Sequence, residues 1–251
     1  MAIGWGAQRK ILYFSAVTII GGLILLILYF NFFVVAPSCF DGRQNGDETG
    51  VDCGGSCTLL CSNQAHAPSV LWARAFLVAS STYTVAAYVQ NTNAGAGAKN
   101  VHYTFQLFDA KNSLITEQSG IIDLPPAQVI PIIETGITTG QRTVARTLFS
   151  FSDIPVWNKV PATALPALSI SSENLSADGT RLSATITNNS FENVMNLTAA
   201  AVIFNTDNVA VAASKSLMKN LAQKSSQEVV FTWPNSTLNI SHAEIILLPA
   251  F

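Results

Sequence analysis

The chain has 251 residues, which leaves room for a membrane segment and one or two domains of ordinary size. Charged residues make up 11% of it and the net charge is −2, with no basic run. This balance excludes the electrostatic pattern of a nucleic-acid-binding protein. The low charge content is typical of an apolar membrane segment joined to a β-rich extracellular part whose surface uses Ser, Thr and Asn.

The first element predicted along the chain is a transmembrane helix over residues 11–36. It opens with ILYFSAVTIIGGLILLILYF, which contains no charged residue. About 20 apolar residues are enough to cross the hydrocarbon core of a bilayer as a helix. The sequence therefore predicts a single-pass protein of the cell membrane.

Charge placement predicts the orientation of this helix. Arg9 and Lys10 directly precede it, and no acidic residue occurs among the first ten. The positive-inside rule then places residues 1–10 in the cytoplasm and the C-terminal region outside the cell. A cleaved signal peptide is the alternative, but the apolar run is longer than such peptides use and Pro37 disfavours cleavage. A third hypothesis is a helix packed within a larger membrane complex, because Gly21 and Gly22 would let a neighbouring helix approach closely.

A cysteine-rich collar over residues 37–67 follows the predicted helix. An even number of cysteines in an oxidising compartment predicts disulfides, here two, with three possible connectivities. A zinc site with His66 as a further ligand is the alternative, although the spacing lacks paired CxxC knuckles. The cysteines are Cys39, Cys53, Cys57 and Cys61.

The loop between the first two cysteines is rich in oxygen-bearing side chains and glycine. Calcium takes six to eight oxygen ligands at about 2.3–2.6 Å, and glycines let a short loop bend around the ion. The pattern matches an EF-hand loop only in part, because Arg43 replaces an expected ligand and flanking helices are not predicted. Turns stabilised by Asp and Asn side chains are the alternative. The predicted calcium ligands are Asp41, Asn45, Asp47 and Asp52.

The same stretch carries one resemblance. The pattern C-x-DG-x-QNGDETGVDCGG-x-C over residues 39–57 resembles a short cysteine/aspartate module of uncharacterised bacterial surface proteins. In those proteins the module lies beside a membrane helix or repeated β-sandwich domains. The resemblance implies an extracellular setting and calcium binding, and it implies no particular activity.

From Val70 onward the pattern is that of strands, and it occurs twice. Three landmark pairs are offset by 97, 96 and 97 residues: Asn91 with Asn188, Phe108 with Phe204, and Leu124 with Leu221. A repeat of about 95 residues with six or seven short strands is the size of an immunoglobulin-like sandwich. We therefore predict a mainly β chain with two tandem Ig-like sandwiches, similar to bacterial Ig-like and fibronectin-like modules. The predicted segments are sandwiches over residues 68–151 and 167–251 and a proline-containing linker over residues 152–166, with Trp157 buried.

The sequence contains none of the common local catalytic motifs, and its histidines are His66, His102 and His242. We expect a non-enzymatic protein with a structural or binding role at the cell surface, whose partner is an envelope protein or a glycan. An accessory subunit of a pilus, secretion or transport assembly is the alternative, and an envelope hydrolase is a third class.

Overall fold

The computed structural model describes residues 4–33, 37–161, 164–234 and 239–250. These residues form two compact units, one up to Cys57 and one from Thr58 onward. An apolar helix lies in the first unit and two pairs of β-sheets lie in the second. The predicted fold class, mainly β with one N-terminal apolar helix, is confirmed.

Helix α1 spans Trp5–Phe33. It begins six residues before the predicted start at Ile11, because the stretch ahead of the apolar run contains no proline to interrupt it. Residues 34–36, the predicted end of the span, lie outside the described residues. The part from Trp5 to Phe30 is long and apolar enough to cross a membrane. Its large apolar side chains are exposed, as suits a helix surrounded by lipid.

The collar is built from tight turns held by disulfides. Cys39 is bonded to Cys57, and Cys53 and Cys61 are also disulfide-bonded. No free cysteine occurs in the described chain, so the zinc alternative, which needs thiolates, is wrong. At Gly55 φ is +53°, and a Cβ there would overlap the carbonyl of Asp47, so this turn requires glycine.

The bond between Cys39 and Cys57 closes a loop with a sequence separation of 18. Replacing both cysteines by serine should destabilise the loop by about 3 kcal/mol, because the unfolded chain regains the freedom that the crosslink removes. We expect trypsin to cleave after the exposed Arg43 much faster in this variant than in the wild type. Ser38→Ala is the control, and equal cleavage rates for the double variant and the control would contradict the prediction.

The described part of the second unit contains thirteen strands. Those of the first half are β1 Ser69–Ala79, β2 Thr82–Asn91, β3 Ala96–Phe108, β4 Leu114–Leu124, β5 Gln128–Thr138, β6 Arg146–Phe151 and β7 Trp157–Lys159. Those of the second half are β8 Leu168–Leu175, β9 Arg181–Asn188, β10 Val194–Asn205, β11 Ala210–Leu221, β12 Ser226–Thr232 and β13 Ile240–Leu248.

In the first half, sheet β1-β2-β5 faces sheet β4-β3-β6, and β7 pairs with β3. The inner faces enclose one apolar core, to which β2 contributes Val85 and Val89, β3 contributes Phe105 and β5 contributes Ile130. These side chains occur at alternate positions because successive residues of a strand point to opposite faces. The two sheets form a β-sandwich.

The second half repeats this topology. Strand by strand, sheet β8-β9-β12 corresponds to β1-β2-β5, and sheet β11-β10-β13 corresponds to β4-β3-β6. Asn91 and Asn188 end the equivalent strands β2 and β9, and Leu124 and Leu221 end β4 and β11. The internal repeat predicted from the sequence is therefore confirmed, while the Ig-like assignment stays a prediction.

The segment predicted as a linker contains a strand. Residues Trp157–Lys159 form β7 and pair with Ala96–Ala98 of β3, so this part of the segment belongs to the first sandwich. Trp157 is buried in the first core, as predicted. Residues 162–163 of the predicted linker lie outside the described residues.

A third apolar core joins the two sandwiches. It lies between the outer face of sheet β1-β2-β5 and the outer face of sheet β11-β10-β13. Strands β2 and β10 are therefore buried on both faces: Ala86 and Tyr88 point into this core, as do Ala200 and Val202. The core contains both small and aromatic side chains, and the sheets stack in four layers.

Candidate functional site

The predicted calcium ligands of the collar shape its loop. The carboxylate of Asp52 accepts hydrogen bonds from the backbone N–H groups of Asp41 and Gly42. The carboxylate of Asp41 accepts from the backbone of Arg43 and, at 2.7 Å, from the side-chain amide of Asn45. These bonds are the side-chain-stabilised turns of the alternative interpretation.

Two further acidic residues close the same loop. Glu48 accepts from the backbone N–H of Asn45, and Asp47 accepts from the Ser56 hydroxyl at 2.7 Å. The side-chain oxygen of Asn45 is buried and has no hydrogen-bond partner in the described chain. Leaving a buried oxygen without a partner costs free energy, and a bound ion would remove that cost.

One other group of potential metal ligands lies in the collar. The ligand atoms of Cys39, Glu48 and Cys57 lie within 4.8 Å of one another. The two sulfurs are joined in a disulfide, so they offer no thiolate to a metal. This group is structural.

The three histidines have different neighbours in the part of the chain that the structure describes. His102 Nδ1 lies 2.7 Å from the Asp153 carboxylate, but more than half of each side chain is exposed. No hydroxyl or thiol in the described chain is hydrogen-bonded to the other ring nitrogen of His102, and a nucleophile activated by a base needs that bond. His66 contacts the first sandwich through backbone bonds to Asn93, and His242 stacks on Phe204.

The repeated asparagines hold equivalent corners of the two sandwiches. Asn91 is 1% exposed, and its amide donates to the carbonyls of Ala96 and Pro125. Asn188 is fully buried, and its amide donates to the carbonyls of Glu192, Leu221 and Ala222. The sequence indicated these residues only as repeat landmarks, although a repeated asparagine at a strand end was the available signal.

Two polar contacts flank the third core. The Tyr88 hydroxyl donates to Glu244 at 2.8 Å, and the Tyr103 hydroxyl donates to Glu134 at 2.7 Å. Burial, together with the hydrogen bond to a carboxylate, raises the pKa of both tyrosines, so both stay protonated donors at neutral pH. Lys215 of the second sandwich lies 3.6 Å from the same Glu134 oxygen that Tyr103 contacts.

A groove of about 660 Å³ opens beside these contacts, between the two sandwiches. Its size and its position between domains are those of known ligand sites. The first sandwich contributes Tyr103, Asp123 and Glu134, and the second contributes Lys215 and Leu217. The sequence did not predict this groove, because it exists only once the sandwiches are packed together.

The fold defines a mainly β protein with two sandwiches, a disulfide-bonded collar and an apolar N-terminal helix. No protein-family model matches the chain and no curated protein matches it. Among solved structures, it is similar to a transglutaminase of the red sea bream, at 11% identity with a TM-score of 0.24. That similarity covers 68% of this chain and 28% of the transglutaminase, so the chain spans less than a third of that protein's length.

Proposed function

We propose that this is a single-pass membrane protein that displays its two sandwiches outside the cell, in a non-enzymatic structural or binding role. The observation that carries the proposal is the joining, in one chain, of a membrane-length apolar helix and two sandwiches that share a buried core. The shared core makes the sandwiches one stiff body, which suits a module that presents a surface to a partner.

Two features support the outward orientation. Arg9 and Lys10 precede the helix, and the positive-inside rule keeps such residues in the cytoplasm. The collar's cysteines are disulfide-bonded, and disulfides persist mainly in oxidising compartments outside the cytoplasm. The resemblance of the collar to a module of bacterial surface proteins agrees with both.

Chemical cross-linking in the native membrane, followed by mass spectrometry, tests the proposed role. A free-standing surface module should cross-link within its own chain or to varied neighbours. Reproducible cross-links to one set of envelope proteins would instead identify a subunit of a fixed assembly and overturn the free-standing role. Hydrolysis of peptidoglycan by the purified chain would overturn its non-enzymatic character.

We further propose that the collar binds calcium through Asp41, Asn45, Asp47 and Asp52. The unpartnered, buried oxygen of Asn45 supports this, because it is available to a cation at no cost in lost hydrogen bonds. Calcium should raise the melting temperature of the full chain, and Asp47→Ala should abolish the rise. Asp207→Ala, in a turn of the second sandwich, is the control and should leave the rise intact. An unchanged melting temperature across millimolar calcium would contradict calcium binding.

A further inference from the structure

The collar presents one aromatic ring to the solvent. Phe40 is 92% exposed, the largest exposed fraction of any large apolar side chain among the described residues. On helix α1, whose apolar surface suits lipid, the largest such fraction is 76%, at Phe14. Single exposed apolar side chains are common on protein surfaces, and what sets Phe40 apart is its position directly after the membrane-length helix.

The backbone on both sides of this ring is fixed. Cys39, directly before Phe40, is disulfide-bonded to Cys57. The backbone N–H groups of Asp41 and Gly42, directly after it, donate to the Asp52 carboxylate. The collar therefore carries the exposed ring on a turn that is held in place from both sides.

A short stretch of chain ties Phe40 to the membrane-length helix. Helix α1 ends at Phe33, seven residues before Phe40. Seven residues of chain span at most about 25 Å, even when fully extended. The polar headgroup layer on each side of the hydrocarbon core is only about 5–8 Å thick. When α1 spans the bilayer, the membrane surface on the collar's side therefore lies within reach of the ring.

The neighbouring groups limit how deeply the ring can enter the membrane. Asp41 follows Phe40 directly, and its carboxylate is engaged by the Arg43 backbone and the Asn45 side chain. A carboxylate and the polar backbone of a turn are both costly in the hydrocarbon core. An aromatic ring is instead stabilised at the boundary between headgroups and acyl chains, where its apolar face leaves water. The favourable depth for Phe40 is this boundary.

We propose that the collar docks on the lipid surface and that Phe40 inserts its ring at the boundary between headgroups and acyl chains. The short connection to α1 keeps the bilayer at a high effective concentration around the ring, which favours lipid over a separate protein as its cover. The contact gives the protein a second attachment to the membrane, next to the helix. This inference rests on the membrane-spanning helix of the proposed function.

The test uses the full chain in phosphatidylcholine vesicles, with Phe40→Trp as a fluorescent reporter of depth. Because the side chain is exposed, the variant should fold as the wild type does. Subtracting the wild-type emission isolates the emission of the new indole. We expect this emission to be blue-shifted and largely quenched by lipids brominated near the headgroup end of their acyl chains. Lipids brominated near the chain ends should quench it less.

Phe191→Trp, at an exposed phenylalanine of the second sandwich, is the matched control. Its added emission should be quenched by dissolved acrylamide and not by brominated lipid. The same result at position 40 would place that ring in water and overturn the proposal. Blue-shifted emission at position 40 that neither quencher reduces would place a second copy of the chain over the ring, and would also overturn it.

The wild-type emission reports the insertion of α1 separately, because Trp5 lies on that helix. Quenching of the wild type by brominated lipid, without quenching at position 40, would overturn the collar contact and leave the membrane-spanning role intact.

Discussion

Ala200→Glu is expected to destabilise the protein by about 4 kcal/mol, because it places an unpaired carboxylate in a closely packed apolar core. Ala200 is 1% exposed and lies where sheet β11-β10-β13 packs on the first sandwich. The wild type should unfold in one transition, since the third core couples the sandwiches. In the variant, the sandwiches should separate and unfold in two transitions, which calorimetry of the full chain would resolve.

Ala110→Glu is the matched control for this substitution. Ala110 is exposed in the turn after β3, so the added carboxylate stays in water. Its effect should remain within about 0.5 kcal/mol, as for most surface substitutions. A single transition in Ala200→Glu, at the melting temperature of the control, would contradict the prediction, because the coupling would then not depend on the packing around Ala200.

Asn188→Ala is expected to cost about 3 kcal/mol, because three buried or half-buried carbonyls lose their donor and the Ser190 N–H loses its acceptor. The change should show as a lower denaturation midpoint of the second sandwich. Asn189→Ala, the neighbouring exposed position, should cost less than about 0.5 kcal/mol. Equal losses at the two positions would contradict the role assigned to Asn188.

Several elements could be predicted from the sequence because their signals are local. The membrane-length helix is visible as an uninterrupted apolar run, and its early start at Trp5 is compatible with the absence of proline between Trp5 and Ile11. The repeat is visible because a duplicated sandwich keeps its landmarks at a constant spacing. Disulfides follow from cysteine count and compartment, but the pairing of Cys39 with Cys57 depends on how the collar turns.

The packing of the sandwiches could not be predicted in the same way, because it depends on contacts between residues distant in sequence. The signal that was available is the composition of β2 and β10. Both are apolar at consecutive positions, as in Val85-Ala86-Ala87 and Ala199-Ala200-Ala201. A strand with one solvent-exposed face instead alternates apolar and polar residues. The groove depends on this packing, so its pair Glu134 and Lys215, at 3.6 Å, was invisible in the sequence.

The proposed orientation places the sandwiches outside the cell and residues 1–10 inside it. Labelling of spheroplasts with a membrane-impermeant amine-reactive biotin, followed by mass spectrometry, tests this most directly. This orientation predicts labelling of the exposed Lys111 and Lys219 in the sandwiches, and of Lys10 only after the membrane is permeabilised. Labelling of Lys10 in sealed spheroplasts, with Lys111 and Lys219 protected, would contradict it.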